Sequence, residues 1–177
     1  MRQRILFVAQ NMDVGGIQTS LINLLKYIDT HHAEEYEISL FSFGKGALMN
    51  KIPNSVSVTL GNRFLQLSAE PFFSVLKRKQ PVDILLRVLL MVSVRLWGSE
   101  RFYRKQFQKC MPSAEYDMAI SYFNDVPNNY FNQGTNLFVS EYVKAEEKIA
   151  WIHSDPIRAN FDAEHCRRIY HAFDRIV

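Results

Sequence analysis

The chain has 177 residues, 47% of them hydrophobic and 22% charged, with seven glycines and six prolines. This composition fits one ordinary domain with a large core and excludes a disordered, fibrous or low-complexity chain. The net charge of +3 hides a segregation: residues 77–109 carry nine basic side chains against only Asp83 and Glu100, a segment at +7 that leaves −4 elsewhere.

Residues 4–10 read as a buried strand. Gly15 and Gly16 follow across a short polar turn. Ile17, Leu21, Leu24, Leu25 and Ile28 then recur at the spacing of a helix packed on a sheet. Strand, glycine loop and helix together point bare backbone N–H groups and a helix N-terminus at one spot. That is either a site for an anionic ligand or only a tight turn. Residues 36–43 read as a second strand, bounded by Gly44 and Gly46, and residues 56–60 as a third, so a parallel sheet is expected.

Residues 64–111 read as helical nearly throughout, broken near Pro71, Pro81 and Gly98. Residues 82–97 are strongly apolar but include Asp83, Arg87 and Arg95, whereas a spanning helix needs about 20 clean apolar residues. Two readings stay open. The helix is core, or it lies in the face of an anionic membrane with Arg87, Arg95, Arg101, Arg104 and Lys105 as contacts. Further on, residues 116–122 read as a buried strand, 125–134 as an Asn- and Pro-rich loop, 148–152 as a strand and 163–173 as a helix. A last strand begins at Asp174 and the chain stops within it, which predicts a fragment cut at a domain boundary.

Several motifs are missing. No G-x-G-x-x-G follows the first strand and no acid closes the second, which disfavours a dinucleotide site. Gly44, Lys45 and Gly46 lack P-loop spacing, and no Asp-x-Asp is present to bridge a diphosphate through a metal. His31 and His32 sit at a helix end and read as solvated, so no metal site is expected. Cys110 and Cys166 have neither metal nor redox spacing and suit a reducing compartment. The start of the chain lacks the apolar stretch of a signal peptide. Basic residues interleaved with Leu and Val, not with stacking aromatics, disfavour nucleic acid.

His153 falls where a parallel strand ends, on the same rim as Gly15 and Gly16, and ligands of open α/β sheets gather at that rim. It can donate a hydrogen bond at neutral pH or carry charge near it. Asp155 either orients it or binds a hydroxyl. Tyr122, Asn124 and Asp125, at the end of an intervening strand, are placed to line the same cleft. The competing reading is a histidine that caps a strand end, with Asn and Asp serving turns.

The segments ILFVAQNMDVGGIQTSLINLLKYI, YEISLFSF, YDMAISY and KIAWIHSD resemble the N-terminal domain of a family 4 glycosyltransferase with the GT-B fold. The resemblance runs from the first strand to the end, and residues 77–109 are its least typical stretch. It implies a Rossmann-like parallel sheet with helices on both faces and one acceptor-binding domain spanning 1–177, to which the residues themselves add an extra helical segment around 64–111. The second, nucleotide-sugar domain with its acidic motif lies outside this chain, so the donor grip is not assigned here. The implied activity is retaining glycosyl transfer, of hexosyltransferase type, from a nucleotide-diphosphate sugar, with no metal and no further cofactor. The acceptor would be a sugar or lipid-linked sugar in polysaccharide or glycolipid assembly, met in the cytoplasm or on the inner face of the membrane.

The resemblance also implies residue roles. Gly15 and Gly16 let the loop lie against donor diphosphate or acceptor, Gln18 and Thr19 add hydrogen bonds, and His153 holds a donor-sugar hydroxyl. The rival readings are a non-catalytic Rossmann-like binding module and another GT-B enzyme such as a sugar epimerase.

Overall fold

Six strands form one all-parallel sheet in the order β3-β2-β1-β4-β5-β6 in the computed structural model, which describes residues 2–124, 131, 134–155, 157, 161 and 163–177. The strands are β1 (Gln3–Ala9), β2 (Tyr36–Ser42), β3 (Ser57–Leu60), β4 (Glu115–Ser121), β5 (Lys144–Ala150) and β6 (Arg175–Ile176). Helix α1 (Gly16–His31) joins β1 to β2. Four helices join β3 to β4: α2 (Arg63–Ala69), α3 (Phe72–Lys77), α4 (Pro81–Trp97) and α5 (Ser99–Phe107). Then α6 (Thr135–Tyr142) and α7 (Glu164–Tyr170) lead to β5 and β6.

β1 is hydrogen-bonded on both edges, to β2 and β4, and its last five residues are buried. Successive side chains alternate between faces. Ile5, Phe7 and Ala9 pack with Leu21, Ile22 and Leu25 of α1, while Leu6 and Val8 pack with Leu65, Tyr103, Phe107 and Phe138 on the other side. A strand covered on both faces has to be apolar throughout, which is why ILFVA is unbroken. The expected Rossmann-like α/β architecture, with helices on both faces and an extra helical segment, is the observed one.

The breaks in the helical segment have local causes. Pro71 precedes α3. Pro81 opens α4, where its missing N–H costs nothing, and Asp83 in the same turn pairs with Arg63 at 2.6 Å. Gly98, at φ +83°, ends α4 and starts α5, a conformation glycine adopts without strain.

Two expectations about this segment change. Arg87 is only 6% exposed, and Arg104 is held between Glu100 (2.8 Å) and Glu141, so neither is free to meet a membrane. Both are needed by neighbouring helices instead. Arg95, Arg101 and Lys105 are exposed. The leucines also divide: Leu86 and Leu90 are half-buried, but Leu85, Leu89 and Trp97 are more than half exposed, so α4 is not simply core.

Two elements differ from the sequence reading. Helix α6 was not expected, because Thr135, Asn136, Leu137, Phe138 and Val139 are all buried and leave no amphipathic stripe to read. β5 starts at Lys144, four residues before the expected strand. Only its Ile149 and Ala150 pair with β6, so its charged first half is an open sheet edge, where charge is tolerated.

Candidate functional site

The chain runs outward from β1 to β2 and β3, then returns to the other side of β1 as β4. In an open α/β sheet such a reversal is the usual place for a ligand, here at the carboxyl ends of β1 and β4. The β1–α1 loop, the end of β4 and the end of β5 meet there.

Helix α1 presents its N-terminus at this rim. Its N-cap is Gly15, no side chain caps it, and its first turn holds no acid. Its positive dipole end is therefore not neutralised by its own residues. Gly15 is extended, Gly16 is exposed, and neither has a positive φ. A Cβ on Gly16 would meet nothing within 4 Å, and one on Gly15 would press only on the movable Gln18 amide. Packing does not demand either glycine. It does demand Gly46, where a Cβ would fall 2.0 Å from the Met12 carbonyl carbon, because the loop after β2 lies directly on the β1–α1 loop. Leu48 N–H donates to the Met12 carbonyl (2.8 Å) and Gly44 N–H to that of Gln10 (2.9 Å).

On the α1 side of the sheet, His153 packs beside Tyr122 and Trp151. Its ring lies parallel to Trp151 and 4.5 Å, centroid to centroid, from Tyr122. Its backbone N–H donates to Asn124 Oδ1 at 2.8 Å, which ties the end of β5 to the end of β4. The nitrogen of the same amide, Nδ2, donates to Ser154 Oγ. Tyr122 is buried and its hydroxyl shares a 3.0 Å hydrogen bond with Ser20 of α1. His153 Nε2, by contrast, is enclosed and has no hydrogen-bond partner among the described residues. Burial lowers the His153 pKa from its ordinary value, so the ring is neutral at pH 7.

The opposite side of the β1–α1 loop holds a second polar group. Asn11 Oδ1 accepts from Gln18 Nε2 (2.9 Å) and Asn11 Nδ2 donates to the Ala69 carbonyl (3.1 Å), joining α1 to α2. A cavity of about 290 Å³ opens beside it, lined by Gln10, Asn11, Glu70, Phe72, Arg87 and Phe131 among others.

The structure brings Gly15, Gly16, Gln18, Tyr122, Asn124 and His153 to one rim. Thr19 is exposed on the first turn of α1, its N–H donating to the Gly15 carbonyl (2.9 Å). Asp155 Oδ1 accepts from the Ile157 N–H at 2.9 Å, an Asx turn that serves its own loop. Asp125 lies outside the described residues. Sequence reasoning missed Ser20, Asn11 and the interior position of Arg87. An arginine in the middle of an apolar helix was the available signal for the last. Among the described residues no group of three or more His, Cys, Asp or Glu side chains is placed to hold a metal ion. Neither a family model nor a curated protein matches the chain.

Proposed function

We propose that this chain is the acceptor-binding half of a retaining, nucleotide-sugar-dependent glycosyltransferase of family 4. The observation that carries the reading is His153. An enclosed imidazole nitrogen without a partner costs about 1–3 kcal/mol, and it lies past the end of β5, against Tyr122 at the end of β4, next to the point where the strand order reverses. A sugar hydroxyl is a fitting partner for a neutral imidazole. The uncapped α1 N-terminus, with open space over Gly16, suits a diphosphate or another anionic group nearby. A second Rossmann-like domain, beyond these 177 residues, would grip the nucleotide. No residue at the rim is placed as a nucleophile in this proposal. Positioning, and stabilisation of the departing diphosphate, would supply most of the rate.

Peripheral membrane association belongs to the same proposal. Val82, Leu85, Leu89, Val92 and Leu96 form an exposed stripe along α4, continued by Trp97 and flanked by exposed Arg95, Arg101 and Lys105. Among the described residues no helix is long and apolar enough to cross a membrane. A lipid-linked acceptor would be met at such a surface.

Product analysis of the complete enzyme with a panel of nucleotide sugars, with and without acceptor, tests the reading. Transfer to an acceptor supports it. Isomerised sugar in the absence of acceptor identifies an epimerase instead, and no consumption of any nucleotide sugar favours a non-catalytic binding module.

A further inference from the structure

Arg87 stands at the wall of the 290 Å³ cavity, on α4, and is 6% exposed. Nη1 donates to the Ser68 carbonyl (3.4 Å) and Nη2 to the Glu70 carbonyl (3.1 Å), and the guanidinium lies 4.2 Å from the centre of the Phe131 ring. Nε is enclosed and has no partner among the described residues. None of those contacts carries a full negative charge. Arg104, a half-buried arginine of the same region, is by contrast paired with two carboxylates. Glu70 also lines the cavity, but its carboxylate is paired with Arg78. Among the described residues Arg87 is thus a buried cation with two neutral acceptors, a ring face and no carboxylate bonded to it, and Glu70, whose charge reaches it, is already held by Arg78. Such an arrangement is costly unless something else completes it.

We infer that this cavity binds a compact anionic group, a carboxylate or a phosphate, with Arg87 as its counter-charge. A planar guanidinium matches either oxyanion. Gln10 and Asn11 line the same cavity at the carboxyl end of β1, so the anion sits across the β1–α1 loop from His153. Taken with the acceptor-binding reading, on which this clause alone rests, the anion is part of the acceptor: an acidic sugar or a phosphate-linked one. Phe72, Met91 and Phe131 supply an apolar wall for the atoms that carry it.

The test is an NMR titration of the Arg87 side-chain Nε–Hε signal with inorganic phosphate, with glucuronate, and with sodium chloride at matched ionic strength. The expected result is a saturable shift with phosphate or glucuronate and none with chloride, and which of the two acts identifies the oxyanion. R87Q should weaken that binding by about tenfold or more, and R87K by less, since it keeps the charge without the fork. No shift, an equal shift with chloride, or wild-type affinity in R87Q would make Arg87 only a clasp between α4 and the α2–α3 corner. The wild-type titration decides the matter even where R87Q does not fold. Because the readout is anion binding, its failure leaves glycosyl transfer untouched, and failure of transfer leaves the anion site untouched.

Discussion

At the scale of single residues, the site holds groups whose hydrogen-bonding demands are not met among the described residues. His153 is the clearest. Its folded pKa is lowered by burial, below the ordinary value of about 6.5. The unfolded chain then binds a proton more readily than the folded one. Stability from this group is fully present above the unfolded value and declines as pH falls through the window beneath it. A histidine NMR titration should therefore place the His153 midpoint below 6.5, and a midpoint above it would mean that a counter-charge faces the ring. The glycines make an opposite pair. Gly46→Ala should cost about 2–3 kcal/mol or more, since the backbone of Met12 has to move. Gly16→Ala should stay within about 1 kcal/mol of wild type in either direction. Chemical denaturation of both variants checks this. A folded Gly16→Val protein that loses ligand binding would then report directly on close approach at the loop.

At the scale of elements, α4 presents two different faces. Asp83, Arg87 and Val94 turn inward, and Val82, Leu85, Leu89, Val92 and Leu96 stay out. Exposed apolar contact with a membrane is strengthened by basic neighbours, at about 1 kcal/mol for each one near an anionic surface. Co-sedimentation with anionic but not neutral vesicles, weakened by salt and by Arg101→Glu with Lys105→Glu, is the expected result. Absence of partitioning with any lipid would leave the stripe to a protein partner. Arg104 is unsuitable for that test. It donates to Glu100 and Glu141, and Arg168 also reaches Glu100, so α5, α6 and α7 share one ion network. Burial pushes Glu100 up, but hydrogen bonds from Arg104 and Arg168, with their charges, outweigh it and hold the carboxyl below its usual range.

At the scale of the whole molecule, the strands were legible because a doubly covered parallel sheet writes unbroken apolar runs such as ILFVA, and the helical insert was legible through Pro71, Pro81 and Gly98. Helix α6 was not, because complete burial erases periodicity, and the first half of β5 was not, because an open edge tolerates Lys and Glu. The rim followed from the strand ends, which a βαβ pattern implies. The interior role of Arg87 did not follow, because a single arginine in an apolar helix reads equally well as a membrane contact, and only packing against Ser68, Glu70 and Phe131 separates the two. Gly15 and Gly16 mark the loop that faces the rim, whereas the glycine that internal packing requires is Gly46, which no sequence motif singled out.

The central claim is that the rim at the strand reversal holds the sugar during retaining transfer, with His153 touching it. Its most direct measurement is the turnover and product anomeric configuration of the complete enzyme beside its His153→Ala variant, on the nucleotide sugar it consumes. The account predicts retained configuration, and a variant that folds but turns over roughly ten- to a thousandfold more slowly. Inverted configuration, or wild-type turnover in the folded variant, would contradict it.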